Sequence, residues 1–141
     1  MSSPEIVLHD DAAENGLASM IADLMRDNLA DSPYKTKVFS KMKGIVTLEA
    51  TDAEVRTTLS FDRGRCVIND GVPRMPDLWV VTDSESILEL SLIRIVGGLP
   101  YYFDETGLAL VHKLLGRQVH IDGAARHPIL LTQLTIALSV N

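Results

Sequence analysis

The apolar positions follow two different periods. Between Asp10 and Met42 they recur at helical spacing, with Leu17, Met20, Ile21, Leu24 and Leu29 on one stripe. Asp10 or Asp11 is read as the cap of a helix reaching about Ala30, its acidic groups well placed in the first turn. Gly16 counts against that helix by about 1 kcal/mol. Asp31-Ser32-Pro33 breaks the stripe and opens a second short helix ending near Met42. From Gly44 the period becomes two. Ile45–Ala50 reads as a strand. Val55, Thr57, Leu59 and Phe61 then alternate with Arg56, Thr58 and Ser60. A turn at Asp62–Arg65 leads to a third strand, Arg65–Ile68, completing an antiparallel meander. After Pro73 and Pro76, Asp77–Val81 is the fourth strand. Thr82 and Asp83 precede a helix predicted over Ile87–Val96, with Leu88, Leu92 and Val96 on one face; Gly97-Gly98-Leu99-Pro100 ends it.

The last third of the chain reads as helix, strand and helix. Thr106–Leu115 is amphipathic through Leu108, Val111 and Leu115, and Gly116 stops it. Arg117–Ile121 is the fifth strand, closed by Gly123. A final helix starts near Pro128. Leu130, Leu131, Leu134, Ala137 and Leu138 share one arc of it, with Thr132, Thr135 and Ser139 opposite. Between Pro128 and Val140 no side chain is charged, so this helix is expected to be covered by the domain, a second subunit or an apolar ligand. Strands in sequence and helices in blocks predict an α+β fold, a five-stranded mostly antiparallel sheet covered by helices. Residues 1–43 are assigned to an N-terminal helical segment and 44–141 to the α+β domain, one compact unit overall.

Composition narrows the function. A chain of 141 residues is long enough for a core without disulfides or metal. Aromatics are 5% of it against 46% apolar, so the interior is aliphatic and suits an acyl or isoprenoid chain better than a stacked ring. The net charge is −6, and no basic patch stands out beyond Lys35, Lys37, Lys41 and Lys43, read as a solvated helix face. Nucleic acid is therefore excluded as a partner. Binding to anionic membranes through the whole body is disfavoured by the same sign. The single Cys66 lies in an apolar strand and reads as an inert buried thiol. No apolar run approaches the roughly 18 residues of a membrane span, and no signal-peptide pattern is present. The expectation is a cytoplasmic protein without stable membrane insertion.

The sequence contains no Gly-x-Ser-x-Gly elbow, phosphate loop or His-Glu-x-x-His. His9, His112, His120 and His127 are scattered, and no carboxylate spacing supports a His112/His120 pair. No catalytic residue, metal or cofactor is expected. Arg126 and His127, at the start of the last helix, are read either as a headgroup site or as a solvated loop. The Tyr101-Tyr102-Phe103 cluster is read as a cavity mouth or as ordinary packing.

Four pieces in order resemble the sterol carrier protein type 2-like, or nonspecific lipid-transfer, domains. They are the strand running into Asp62-Arg63-Gly64, the strand Arg65–Asn69, the stretch Pro76-Asp77-Leu78-Trp79-Val80 followed by Thr82-Asp83 and a helix, and Gly116-Arg117-Gln118-Val119-His120-Ile121-Asp122-Gly123 before a leucine-rich helix. The resemblance covers Val46–Val140, about two-thirds of the chain. The segment Arg94–Phe103 makes this region longer than the family norm, and the first 40 residues have no clear counterpart. The resemblance implies a sterol carrier protein-like fold with an apolar tunnel for sterols, fatty acyl chains or similar lipids, and no catalysis. Its lining is expected from Leu88, Leu92, Val96, Phe103, Leu108, Val111, Leu115, Leu130, Leu134 and Leu138. Pattern alone reads Leu88, Leu92, Leu108, Val111, Leu130 and Leu134 as plain core more readily than as lining, and only the resemblance turns them toward a tunnel. The expected function is binding and carriage or presentation of a lipid. The alternative is a non-catalytic interaction module, a homodimer with a filled core.

Overall fold

A computed structural model describes residues 4–97, 99–101, 104–116 and 119–140, without the side chains of Leu110, Leu114 and Leu115. The alternating segments form the expected meander: β2 (Lys43–Ala50), β3 (Val55–Asp62) and β4 (Arg65–Asp70). Two parallel pairings were not foreseen. The apolar run Ile6-Val7-Leu8 forms an edge strand, β1 (Glu5–Leu8), lying parallel to β4 with Ile6 opposite Cys66. The proline-bearing loop after β4 carries the chain across the sheet, so β5 (Leu78–Thr82) runs parallel to β2 instead of extending the meander. β8 (His120–Asp122) closes the other edge, antiparallel to β5. The sheet is thus mixed and six-stranded, in the order β1-β4-β3-β2-β5-β8, where five mostly antiparallel strands were expected. Because β1 belongs to this sheet, the N-terminal residues are built into the α+β unit.

Capping chemistry sets the helix limits. Asp10–Ala12 is only a 3-10 turn; the cap of α1 (Gly16–Asp31) is Asn15, whose side chain accepts from the Ala18 N–H at 3.0 Å. Gly16 therefore stands at the first helical position, not inside the helix. The Asn15 amide also donates to the Arg56 carbonyl at 2.8 Å and to Asp70 Oδ1 at 2.7 Å, fixing α1 over β3 and β4. Ser32 ends α1 and caps α2 (Pro33–Phe39). Asp83 caps α3 (Ser84–Ser91), and the Ser86 N–H at 2.7 Å holds its carboxyl below the usual carboxylate range.

The helix predicted to reach Val96 stops at Ser91. Ile93, Ile95 and Val96 are β-branched and favour extended backbone. They lead into a hairpin of β6 (Arg94–Val96) and β7 (Leu99–Tyr101), with Val96 opposite Leu99 across a turn that begins at Gly97. Gly97 takes φ +62°, the left-handed conformation such a turn requires. α4 (Glu105–Leu115) follows, and the last helix is α5 (Pro128–Leu138).

The core lies between one face of the sheet and the helices. Val46, Leu48, Leu59, Phe61, Ile68, Leu78 and Val80 meet Ile21, Met25, Phe39, Ile87, Leu134 and Leu138 there. Phe39 and Phe61 pack edge to face with centroids 6.1 Å apart. Cys66 is fully buried in this cluster, and burial pushes its thiol far up, which makes it inert. On the opposite face, the loop after β4 covers Thr47 and Thr58, whose hydroxyls bond each other at 2.9 Å while Thr58 also donates to the Gly71 carbonyl. Beside them Arg56 pairs with Glu49 at 3.1 Å and stands 5.7 Å over the ring of Trp79.

Glycine is required at two close approaches, Gly44 beneath Leu130 of α5 and Gly123 against the backbone at the start of β5. A Cβ at Gly44 would lie 2.7 Å from Leu130 Cδ2, and one at Gly123 would lie 2.0 Å from the Asp77 carbonyl oxygen. Gly123 also holds φ +90°. Gly64, at φ +99°, has nothing within 4 Å of that position. Gly123→Ala is expected to cost the backbone penalty of about 1–2 kcal/mol plus the clash with Asp77. Gly64→Ala should cost the penalty alone. Urea midpoints of the two variants check this, with Gly123→Ala the lower.

Candidate functional site

α5 shows how a helix without charge is accommodated. Leu130, Leu134, Ala137 and Leu138 point into the core. α1, α2, α3 and β7 surround the rest. The hydroxyls expected on a wet face return to the backbone: Thr135 donates to the Leu131 carbonyl at 3.0 Å and Ser139 to that of Ile93 at 2.5 Å. The carboxyl end is therefore buried, and buried carbonyls need donors. Asn28 of α1 donates to the Ala137 carbonyl at 2.9 Å, and the Lys35 ammonium of α2 donates to that of Ser139. Lys35, read from sequence as part of a solvated face, is thus 6% exposed. Its desolvation lowers its pKa, opposed by the nearby charge of Asp31. The negative end of the α5 dipole stabilises the ammonium there.

With Lys35 turned inward, the other face of α2 looks across a groove at α5. One wall carries Tyr34, Lys37, Val38 and Lys41, spaced three and four residues apart. The opposite wall carries Ile129, Thr132, Gln133 and Ile136 at the same spacing. Pro128 and Leu99 of β7 complete the lining, and the space is about 490 Å³. It is the most apolar of the main grooves. Ile129 and Leu99 stand 72% and 61% exposed at its lips, unusual for large aliphatic side chains.

Two other grooves are polar and also open to the surface. One, bounded by Asp11, Glu14, Glu49 and Asp70, has three of these carboxylates engaged: Glu49 pairs with Arg56, Asp70 accepts from Asn15, and Asp11 accepts from the Asp70 N–H at 3.1 Å, which lowers the Asp11 pKa. Another lies on the far face of the sheet around Ser60, Arg65 and Asp77. No group of His, Cys, Asp or Glu among the described residues has the arrangement of a metal site. His120 bonds Asp122 at 2.9 Å on an exposed edge, and His127 stands 3.9 Å from Asp77. Among the described residues no helix is long and apolar enough to cross a membrane.

The residues expected to line a tunnel fall into separate places. Leu130, Leu134 and Leu138 are buried core. Leu88, Leu92 and Leu108 are 44–48% exposed on α3 and α4, two helices held together by Lys113 and Glu89 at 3.0 Å. That contact with Glu89 raises the Lys113 pKa. Val96 is exposed on the hairpin and Val111 is half-buried. Phe103 and the side chain of Leu115 lie outside the described residues. The α2–α5 groove uses none of the eight whose side chains are described. Its α2 wall was legible as Tyr34, Val38 and Lys41 at helical spacing. The local lysines drew that segment into the solvated class instead.

Neither a protein-family model nor a curated protein sequence matches the chain. Solved structures do. UbiJ-SCP2, a ubiquinone synthesis protein, superposes with a TM-score of 0.60 at 14% identity, over 84% of this chain and 92% of that one. Sterol carrier protein 2 from Yarrowia lipolytica, in its apo form, gives 0.54 at 13% identity, over 94% and 100%. A crystal structure of sterol carrier protein 2 gives 0.50 at 17%, over 86% and 96%. The fold is sterol carrier protein 2-like.

The buried Lys35 has a pH signature. Lys35→Met leaves the Ser139 carbonyl without the ammonium donor, a loss of about 1–3 kcal/mol, partly offset because a desolvated charge disappears. Since its pKa is lowered in the fold from 10.5, the unfolded chain binds more protons between the folded value and 10.5. Wild-type stability relative to the variant should therefore be flat below that window and rise with pH through it. Urea titrations at stepped alkaline pH measure the gap; one that stays constant or narrows contradicts this placement of Lys35.

Proposed function

We propose that this protein binds an apolar ligand, most simply a fatty acyl chain or related lipid, and carries or presents it without catalysing a reaction. The observation that carries this reading is the α2–α5 groove, with Val38, Ile129, Ile136 and Leu99 in its walls. Two of these aliphatic side chains remain in water at the lips. Each methylene of an alkyl chain laid there contributes about 0.8 kcal/mol by leaving water. Discrimination between chain lengths should be loose, because such a surface offers few directional contacts. The fold supports the reading, since its neighbours include sterol carrier protein 2. We place this carriage in the cytoplasm.

A second reading rests on a different surface. Leu88, Leu92 and Leu108 leave an apolar face on α3 and α4 that fits an interaction or dimerisation module. Sedimentation of the delipidated chain separates the two readings: a ligand-free dimer dispersed by Leu88→Lys supports the module. For the carrier, titration of delipidated protein with fluorescent fatty acids should show saturable binding of several chain lengths. Ile129→Asp should weaken it by about tenfold or more, because the chain would then desolvate a carboxylate. Absence of saturable binding with every chain length removes the carrier reading.

A further inference from the structure

The groove holds two side chains that hydrocarbon binding does not require. Lys37 and Lys41, four residues apart on α2 and the turn after it, both line it, and among the described residues no carboxylate does. Both are exposed, and neither makes an ion pair among the described residues. Arg26 pairs with Asp23, Arg56 with Glu49, Arg65 with Glu5 and Lys113 with Glu89. Lys43, Arg63, Arg74, Arg94 and Arg126 are unpaired among the described residues as well, so it is the place on the apolar groove that sets Lys37 and Lys41 apart. In a chain of net charge −6, an anion would be repelled from most of the surface. These two ammonium groups reverse the sign beside the most apolar groove.

Resting on the carrier reading above, we propose that the groove selects an alkyl chain ending in an anion, a carboxylate or a phosphate, and that Lys37 and Lys41 determine that specificity. The chain lies against Val38, Ile129 and Ile136, and the head group meets the two ammonium groups at the rim. Gln133 faces it from the other wall as a neutral hydrogen-bond donor, while the Thr132 hydroxyl is committed to the Pro128 carbonyl at 2.9 Å. Exposed charge pairs are individually weak. The preference for an anionic over a neutral head group is accordingly roughly three- to tenfold. Salt shrinks it, because the screening length falls from about 10 Å at 0.1 M to about 3 Å at 1 M.

Calorimetric titration of the delipidated full chain at pH 7, below the micelle concentration, tests this with decanoate, decyl phosphate, decanol and inorganic phosphate. Wild type should prefer one or both anionic amphiphiles over decanol by that margin, and which of them leads identifies the head group. Lys37→Gln combined with Lys41→Gln should abolish the preference and leave decanol affinity within about twofold. Both positions are exposed, so the double variant should keep the wild-type melting temperature. Equal binding of acid and alcohol by wild type overturns the lysine assignment and leaves the carrier reading standing. A preference that survives in the double variant does the same. Inorganic phosphate binding as tightly as decyl phosphate overturns it as well, because the alkyl chain then contributes nothing. If no decyl compound binds, the carrier reading falls and this assignment with it.

Discussion

A helix whose carboxyl end is buried must find partners for carbonyls that water cannot reach. α5 is such a helix, and much of the helical layer answers its need. Asn28 reaches the Ala137 carbonyl from α1, and Lys35 reaches that of Ser139 from α2. The Ser139 hydroxyl and the Val140 N–H are taken up by the carbonyls of Ile93 and Ser91, where α3 passes into the hairpin. Three separate segments are thereby set against one helix end. An unpaired buried carbonyl costs about 1–3 kcal/mol, so the arrangement has little room to drift.

The groove is a consequence of that arrangement. Lys35 and Phe39 are the side chains α2 sends inward, and they fix its rotation about its own axis. With Lys35 committed to the Ser139 carbonyl, Lys37 and Lys41 can only face outward. Tyr34 and Val38 then meet α5 across a gap. On the α5 side, Leu130 and Leu134 occupy the core, which turns Ile129, Thr132, Gln133 and Ile136 toward α2. Gly44 allows this seating, because a side chain there would push against Leu130. The same lysine cluster serves two ends: one member closes the fold and two charge the rim.

Much of the fold could be read from the residues. Val55, Thr57, Leu59 and Phe61 alternate as an inner face, and the meander follows from the turns between its strands. The likeness to sterol carrier proteins rested on the strand and glycine pieces from Asp62 to Gly123, and the architecture bears it out. Parallel pairings were not readable, because a strand period says which face is buried and not which neighbour lies alongside. Ile6-Val7-Leu8 is too short to announce an edge strand. Gly97-Gly98 after the β-branched pair Ile95-Val96 was a hairpin signal, but the leucines before it suggested more helix. The site was less legible. Leucines at helical spacing carry no mark distinguishing core from lining, and here they divide between the core on α5 and the surface on α3 and α4. Lys35 shows the same limit for charge, since only the position of Ser139 makes its burial tolerable.

The central claim is that an alkyl chain lies between α2 and α5 and not within the leucine core. Methyl-labelled isoleucine, leucine and valine residues, observed by nuclear Overhauser contacts to a protonated decanoate chain, address it directly. The account predicts contacts to the methyl groups of Ile129, Ile136, Val38 and Leu99. Contacts instead to Leu134 and Leu138, or to Leu88, Leu92 and Leu108, would contradict it.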